Sequence, residues 1–268
     1  MKRLWLIGGT HESRILAERL VEAKRPTVVT MTTESARSLY PPSPLLVLFV
    51  GRLSSATLPA FLHQHSIGAI LDASHPFAVQ ISELAIAVAQ SNTIPYLRFE
   101  RPSVSEAMSS EATSKPSAEA TPTHHLVPSI DELINSDRLL NQRVLLTLGY
   151  RWLPYFQSWQ SETTLFARIL PSLDALSTAL DSGFTSDRLI ALRPPISAEF
   201  EKALWTQWQI SMVVTKASGA PGGEAIKHRV AKELGIKLIT IARPPIAYPA
   251  QTQNIEEAIA FSLALGTT

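Results

Sequence analysis

Residues 4–20 read LWLIGGTHESRILAERL: an apolar run, a pair of glycines, then a charged segment with helical spacing. Gly8-Gly9-Thr10-His11-Glu12-Ser13 raises the question of a nucleotide-phosphate turn. A glycine free to take positive φ leads into a helix start whose unpaired N–H groups and positive dipole end attract an anion. The full dinucleotide spacing G-x-G-x-x-G is missing, because the glycines are adjacent and no third follows. A plain strand-to-helix turn therefore stands beside the phosphate reading. A second group, DASHPF at 72–77, ends another apolar run. Its His75 can donate a proton or bind a carboxylate, or can instead serve a structural bond to a loop carbonyl; Ser74 and Pro76 flank it. The third group is cationic. Arg98, Arg151, Arg193, Lys216 and Arg243 stand at or just past the carboxyl ends of apolar runs, and Arg168 lies inside one. Neighbouring arginines repel unless an anion joins them, and their planar forks suit carboxylate or phosphate. The pattern points to a polyanionic ligand.

The cofactor can be narrowed further. A strand reading PTVVTMTT (26–33) ends in hydroxyls, Thr32 among them, where an NAD site usually places an acidic residue on the ribose. Glu34 comes one step late, and Arg14 and Arg37 are close in sequence. This favours a 2′-phosphate, and so NADPH over NADH. TKASGAPGG (215–223) is a second glycine-rich strand-to-helix turn, in which Lys216, Ser218, Gly219 and the loop amides, with Lys227, form a candidate anion cradle. It lacks the spacing of a P-loop, so ATP hydrolysis is not indicated. His124 and His125 have no carboxylate or cysteine arranged around them, and no metal site is expected. Trp152, Trp159, Trp205 and Trp208 read as packing residues, with Trp152 a candidate for lining a ligand site beside Arg151.

The elements that must position these groups alternate. Apolar runs at 4–7, 26–33, 45–51, 67–72 and 94–99 read as strands, with helices between them over 11–21, 54–65 and 78–91. The alternation restarts at 143–149, 164–170, 188–193, 210–216 and 237–243, with helices between and one at the end of the chain. Near-continuous apolar strands separated by helices indicate parallel sheets covered on both faces. The expected fold is α/β, in two halves with a cleft between them. Ligands in such folds sit outside the carboxyl ends of the strands. Residues 1–102 form the expected first domain and 126–268 the second. Between them VSEAMSSEATSKPSAEATPTHH (104–125) offers almost nothing to bury and reads as a flexible insertion.

Composition bounds the function. The chain has 268 residues, 45% hydrophobic, enough for real cores. It has no cysteine, which excludes disulfides and thiolate chemistry. A net charge of +1 argues against a nucleic-acid binder, and no apolar run reaches membrane-span length. Met1-Lys2-Arg3 leads straight into a strand instead of a signal segment, so a cytoplasmic location is expected.

In order and spacing, LIGGTHESRILAERL, DASHPFA (72–78), PYLRFERP (95–102), LTLGYRWLPYF (146–156), FARILP (166–171), VVTKASG (213–219) and IKLITIARP (236–244) resemble the precorrin-6A reductase family of corrin-ring (vitamin B12) biosynthesis. The resemblance covers nearly the whole chain outside 104–125. It implies two Rossmann-like domains, with NADPH and a tetrapyrrole meeting in the cleft. It also implies reduction of the substrate's C18–C19 double bond by hydride from the nicotinamide plus a proton. Gly8, Gly9, Thr10, Glu12, Ser13 and Arg14 match the family's nucleotide turn, His75, Pro76 and Phe77 its second motif, and Lys216, Ser218 and Gly219 its late one. Ser13, Ala217 and Arg193-Pro194-Pro195 depart from the commoner residues. The substrate's many carboxylates account for the cations, read as its ligands: Arg98, Arg151, Arg168, Arg193, Lys216 and Arg243. His75 is the candidate proton donor, beside a tyrosine or water. Another NADPH-dependent reductase of a polyanion is the alternative within enzymes, although no tyrosine has a lysine four residues on, as the short-chain type requires. A non-catalytic tetrapyrrole or nucleotide carrier is the alternative outside them. Metal-free versus cobalt-bearing substrate, and the oligomeric state, are left open by the sequence.

Overall fold

The computed structural model describes residues 2–102 and 124–264. These form two compact units: one holds the described residues through Arg101 and those from Pro244 on, the other those from Pro102 to Arg243. The expected insertion lies largely outside the described residues.

The first unit is a six-stranded, wholly parallel sheet. Its strands are β1 (Arg3–Ile7), β2 (Thr27–Met31), β3 (Leu46–Val50), β4 (Ile67–Asp72) and β5 (Tyr96–Phe99), with β12 (Gln251–Thr252) from near the chain's end, in the order β12-β5-β4-β1-β2-β3. Leu4, Trp5, Leu6, Val28, Val29, Ile70 and Leu71 are completely buried, because helices cover both faces. The helix His11–Glu22 turns Leu16, Ala17 and Leu20 onto one face together with Ala258 and Ile259 of the last helix, Ile255–Ala264. The helices Leu58–Gln64 and Val79–Ser91 cover the other face through Phe61, Leu62, Ala85 and Ala89.

The second unit repeats this plan with β6 (His124–Val127), β7 (Arg143–Leu146), β8 (Thr164–Ile169), β9 (Leu189–Ala191), β10 (Met212–Lys216) and β11 (Lys237–Ile241), in the order β6-β11-β10-β7-β8-β9, again all parallel. In each sheet the crossovers leave a central strand, β1 in the first and β7 in the second, in one direction and then return past it in the other. The helix Glu224–Leu234 ends, as its sequence predicts, on Gly235 with φ +65°, the left-handed stop that glycine adopts without strain.

Two strands escaped the sequence reading. The sequence assigns His124 and His125 to the insertion, but they begin β6 and pair with Leu238 and Ile239 of β11. Gln251 and Thr252 pair with Arg98 and Phe99, so the segment after Arg243 completes the first sheet instead of the second. Both are short edge strands without an apolar alternation to announce them. No helix among the described residues is long and apolar enough to cross a membrane.

Candidate functional site

In the first sheet the order reverses between β1 and β4, and the crevice outside their carboxyl ends is where such sheets take ligands. The two loops there are Gly8-Gly9-Thr10 and Ala73-Ser74-His75-Pro76. Gly9 has φ +89°, a conformation glycine alone adopts readily. Thr10 is the N-cap of the first helix: its hydroxyl accepts the Ser13 N–H at 3.1 Å and donates to the Ala73 carbonyl at 2.8 Å, tying the two loops together. Ser13 is completely buried and completes the capping box, so it shapes the turn without facing a ligand. Glu12 pairs with Arg101 at 2.8 Å, and both line a small hollow with Ala73, Ser74, Arg98 and Phe99.

His75 is half-buried, and its Nδ1 accepts the Phe77 N–H at 3.2 Å. That bond makes Nδ1 the acceptor, which assigns the proton of the neutral ring to Nε2. Ser74 is buried, and its N–H is bound by Asp72 at 2.9 Å.

Arg98 lines the floor of that hollow, but its guanidinium is held by carboxylates of the protein. It is 1% exposed, bonded to Asp72 at 2.9 Å, Glu100 at 2.8 Å and the Ser74 hydroxyl at 3.0 Å, with its guanidinium 5.2 Å from the centroid of the Tyr248 ring. Asp72 in turn accepts from Ser82 at 2.6 Å and from Tyr96 at 2.8 Å. Burial, reinforced by Asp72, pushes the Tyr96 hydroxyl far above its usual range, so it stays a donor. This buried cluster fixes the β4 loop from below, and its cation is already neutralised.

The residues expected to read the ribose lie at the surface. Thr32 is exposed, Arg14 pairs with Glu18 at 2.6 Å, and Arg37 pairs with Glu34 at 2.6 Å on the short 3-10 segment Glu34–Leu39. Exposed ion pairs of this kind are worth about 0–1 kcal/mol, so a phosphate can displace either carboxylate.

In the second sheet the equivalent reversal lies between β7 and β10. Lys216 ends β10 with its ammonium 5.8 Å from the Trp152 ring centroid. Burial and then the neighbouring Arg151 push its pKa down to about 8. Arg151 is exposed above the Tyr150 ring, and Arg193 is exposed after β9. Arg243 donates to the Ala217 carbonyl at 2.9 Å and holds the loop that follows Lys216. Arg168, expected to bind substrate, is bonded at 2.6 Å to the buried Glu201, which also accepts from Trp205 at 2.9 Å. Like Arg98, it is spent on the interior.

The late glycine loop is closed from within. The Gly219 N–H donates to the buried Glu224 carboxylate at 2.7 Å, and Lys227 reaches the Gly222 carbonyl at 2.6 Å. Burial and then Arg168 bring Lys227 down to about 7. Ser218 is buried, and a Cβ at Gly222 would collide with its hydroxyl. Gly222→Ala is therefore expected to destabilise the second unit by about 1–3 kcal/mol, the usual cost of overpacking. Urea unfolding of the variant measures it, and Ser218→Ala in the same chain should recover only part of the loss, because the Ser218 Cβ would still lie 2.7 Å from the added methyl.

Sequence reasoning missed Arg101, Glu224 and Tyr40, whose partners are set by folding. Only Glu224 carried a signal, as the acid opening a helix behind paired glycines.

The model of the family described as precorrin-6x reductase CbiJ/CobK matches residues 3–262. A cobalt-precorrin-6A reductase of Synechocystis is 50% identical over 244 residues, 90% of this chain and 88% of that protein. One of Priestia megaterium is 32% identical over 257 residues, 95% of each chain. The solved structure of CobK precorrin-6A reductase superposes with a TM-score of 0.78 at 23% identity, covering 100% of this chain and 99% of that one, which supports the fold.

Proposed function

Since the chain belongs to the precorrin-6x reductase family (CbiJ/CobK), we propose that it reduces the C18–C19 double bond of precorrin-6A, or of its cobalt form, with NADPH as the source of hydride. Membership makes it an oxidoreductase acting on a CH–CH bond and drawing on a nicotinamide cofactor. The observation that carries the substrate assignment is the 50% identity, over nine-tenths of the chain, to a protein named for cobalt-precorrin-6A. The same identity favours the cobalt form.

The residues present fit a dinucleotide. Gly9 is exposed at the mouth of the β1–β4 crevice, and no acceptor among the described residues takes the N–H groups of His11 and Glu12. These amides, at the positive end of the His11–Glu22 helix, would hold the phosphates. Arg14 and Arg37 would hold a 2′-phosphate. When bound, the cofactor supplies the hydride.

The protein's part is binding, orientation and one proton. Lys216, Arg151 and Arg193 would hold carboxylates of the tetrapyrrole. The His75 Nε2 proton would go to the ring carbon that does not receive the hydride, so that two hydrogens are added overall. His75→Ala is expected to slow turnover without abolishing it, since water can replace the donor. Complete loss of activity with substrate binding intact would make His75 the essential acid.

The test is an anaerobic mixture of the protein with NADPH and precorrin-6A, then with the cobalt form, followed by tetrapyrrole absorbance and product mass. A gain of two hydrogens that requires NADPH establishes the reaction, and the faster substrate identifies the physiological form. No change in either, with NADPH bound, overturns the substrate assignment.

A further inference from the structure

The turn between β1 and the first helix is braced by a residue 31 positions away: the Gly9 N–H donates to the Tyr40 hydroxyl at 2.7 Å. That hydroxyl lies 2.7 Å from the Ser13 hydroxyl. Ser13 gives its own hydrogen to the Thr10 carbonyl at 2.8 Å and accepts the Thr10 N–H at 3.0 Å. A hydroxyl has one hydrogen, so Tyr40 must be the donor to Ser13. The result is a directed relay from Gly9 through Tyr40 and Ser13 to the Thr10 carbonyl. Burial raises the Tyr40 pKa, which keeps its hydrogen in place. The ring itself is in the core with Leu6, Leu16 and Val29.

This relay decides which amides meet the ligand. Gly8 donates to the Thr30 carbonyl, Gly9 to Tyr40, and Thr10 and Ser13 to each other's hydroxyls. The His11 and Glu12 amides are left over. It also explains Gly8, whose φ is not positive: a Cβ there would strike the Tyr40 hydroxyl and lie 2.9 Å from Val29. Tyr40 follows directly on the 3-10 segment Glu34–Leu39 that carries Arg37. One side chain thus joins the phosphate turn to the segment proposed to read the ribose.

We propose that Tyr40 is a positioning residue for the cofactor, holding the Gly8–Thr10 turn in its binding geometry through Gly9 and Ser13. The proposal rests on the reading of this turn as the NADPH site. Tyr40→Phe keeps the ring in the core and removes only the relay. The probe is NADPH itself, titrated calorimetrically into wild type, Tyr40→Phe, Ser13→Ala and the double variant, with steady-state kinetics alongside. The expected result is an NADPH affinity about five- to tenfold weaker in Tyr40→Phe, the loss of one buried hydrogen bond's preorganisation. KM for NADPH should rise in step while kcat at saturation stays within about twofold. The double variant should bind no more weakly than the weaker single one, because both remove one relay.

Unchanged or tighter NADPH binding in Tyr40→Phe overturns the proposal, tighter binding meaning that the freed Gly9 amide itself takes the phosphate. A fall in melting temperature with unchanged affinity does the same and reduces Tyr40 to a packing role. Should Tyr40→Phe not fold, Ser13→Ala carries the test with the same expected KM shift. Wild-type protein that fails to bind NADPH overturns the cofactor reading, and this proposal with it. Wild type that binds while both single variants bind equally well overturns this proposal alone.

Discussion

Arg98→Met is expected to destabilise the first unit by about 3–5 kcal/mol, the cost of leaving a buried charge without its partner. Arg98 and Asp72 have side chains 1% and 0% exposed, and they meet at 2.9 Å. With the guanidinium gone, Asp72 retains the Ser74 N–H and the Ser82 and Tyr96 hydroxyls. Those are neutral donors, which solvate a carboxylate without cancelling its charge. The loss should be largely recovered by Asp72→Asn in the Arg98→Met chain, since the remaining pair is then uncharged. Hydrogen exchange of the β4 and β5 amides reads the effect in this unit separately from the other. A substrate ligand at this position would behave otherwise: stability would change by less than about 1 kcal/mol, and tetrapyrrole binding would fall instead. That outcome would return Arg98 to the ligand-binding surface.

Arg98 also shows where sequence reasoning reached its end. The alternation of apolar runs and helical segments was enough to place ten of the strands, because a buried parallel strand must be apolar along its whole length. Both glycine turns were legible for the same reason, since few residues other than glycine turn a strand so sharply into a helix. The role of each cation was not legible. In PYLRFERP nothing distinguishes an arginine that faces solvent from one that is paired inside, because its partner Asp72 lies 26 residues earlier. Arg168 is the same case, 33 residues from Glu201. The single hint was position: both lie within strands whose neighbours are buried, where an unpaired charge is too costly to persist. Glu224 inverts the argument, for a loop that reads as an anion cradle already contains its anion. The Tyr40 relay left no local pattern at all, because a hydrogen bond across 31 residues is a product of the fold.

Lys216→Met is expected to lower kcat/KM for the tetrapyrrole about 10- to 100-fold, the contribution of one charge-assisted hydrogen bond. Lys216→Arg should retain most of the activity. The two are told apart from a structural effect by pH. Burial and then Arg151 bring Lys216 down to about 8 in the empty protein. A carboxylate binds the ammonium and not the amine, so wild-type affinity for the tetrapyrrole should fall as pH rises through about 8. The fall is at most about tenfold per pH unit. Arginine stays charged throughout, and Lys216→Arg should flatten the profile. The stability of the ligand-free protein should run the opposite way. A lysine whose folded pKa lies below its unfolded value of 10.5 binds fewer protons folded than unfolded between those two values. Stability therefore rises with pH from about 8 to about 10.5, and Lys227, brought down to about 7, adds to the rise from lower pH. Lys227 is buried beneath the loop, bonded to the Gly222 carbonyl, so it should shape the stability curve while leaving the pH dependence of substrate affinity to Lys216. Affinity that does not change between pH 7 and 9 in the wild type would remove Lys216 from the substrate's ligands.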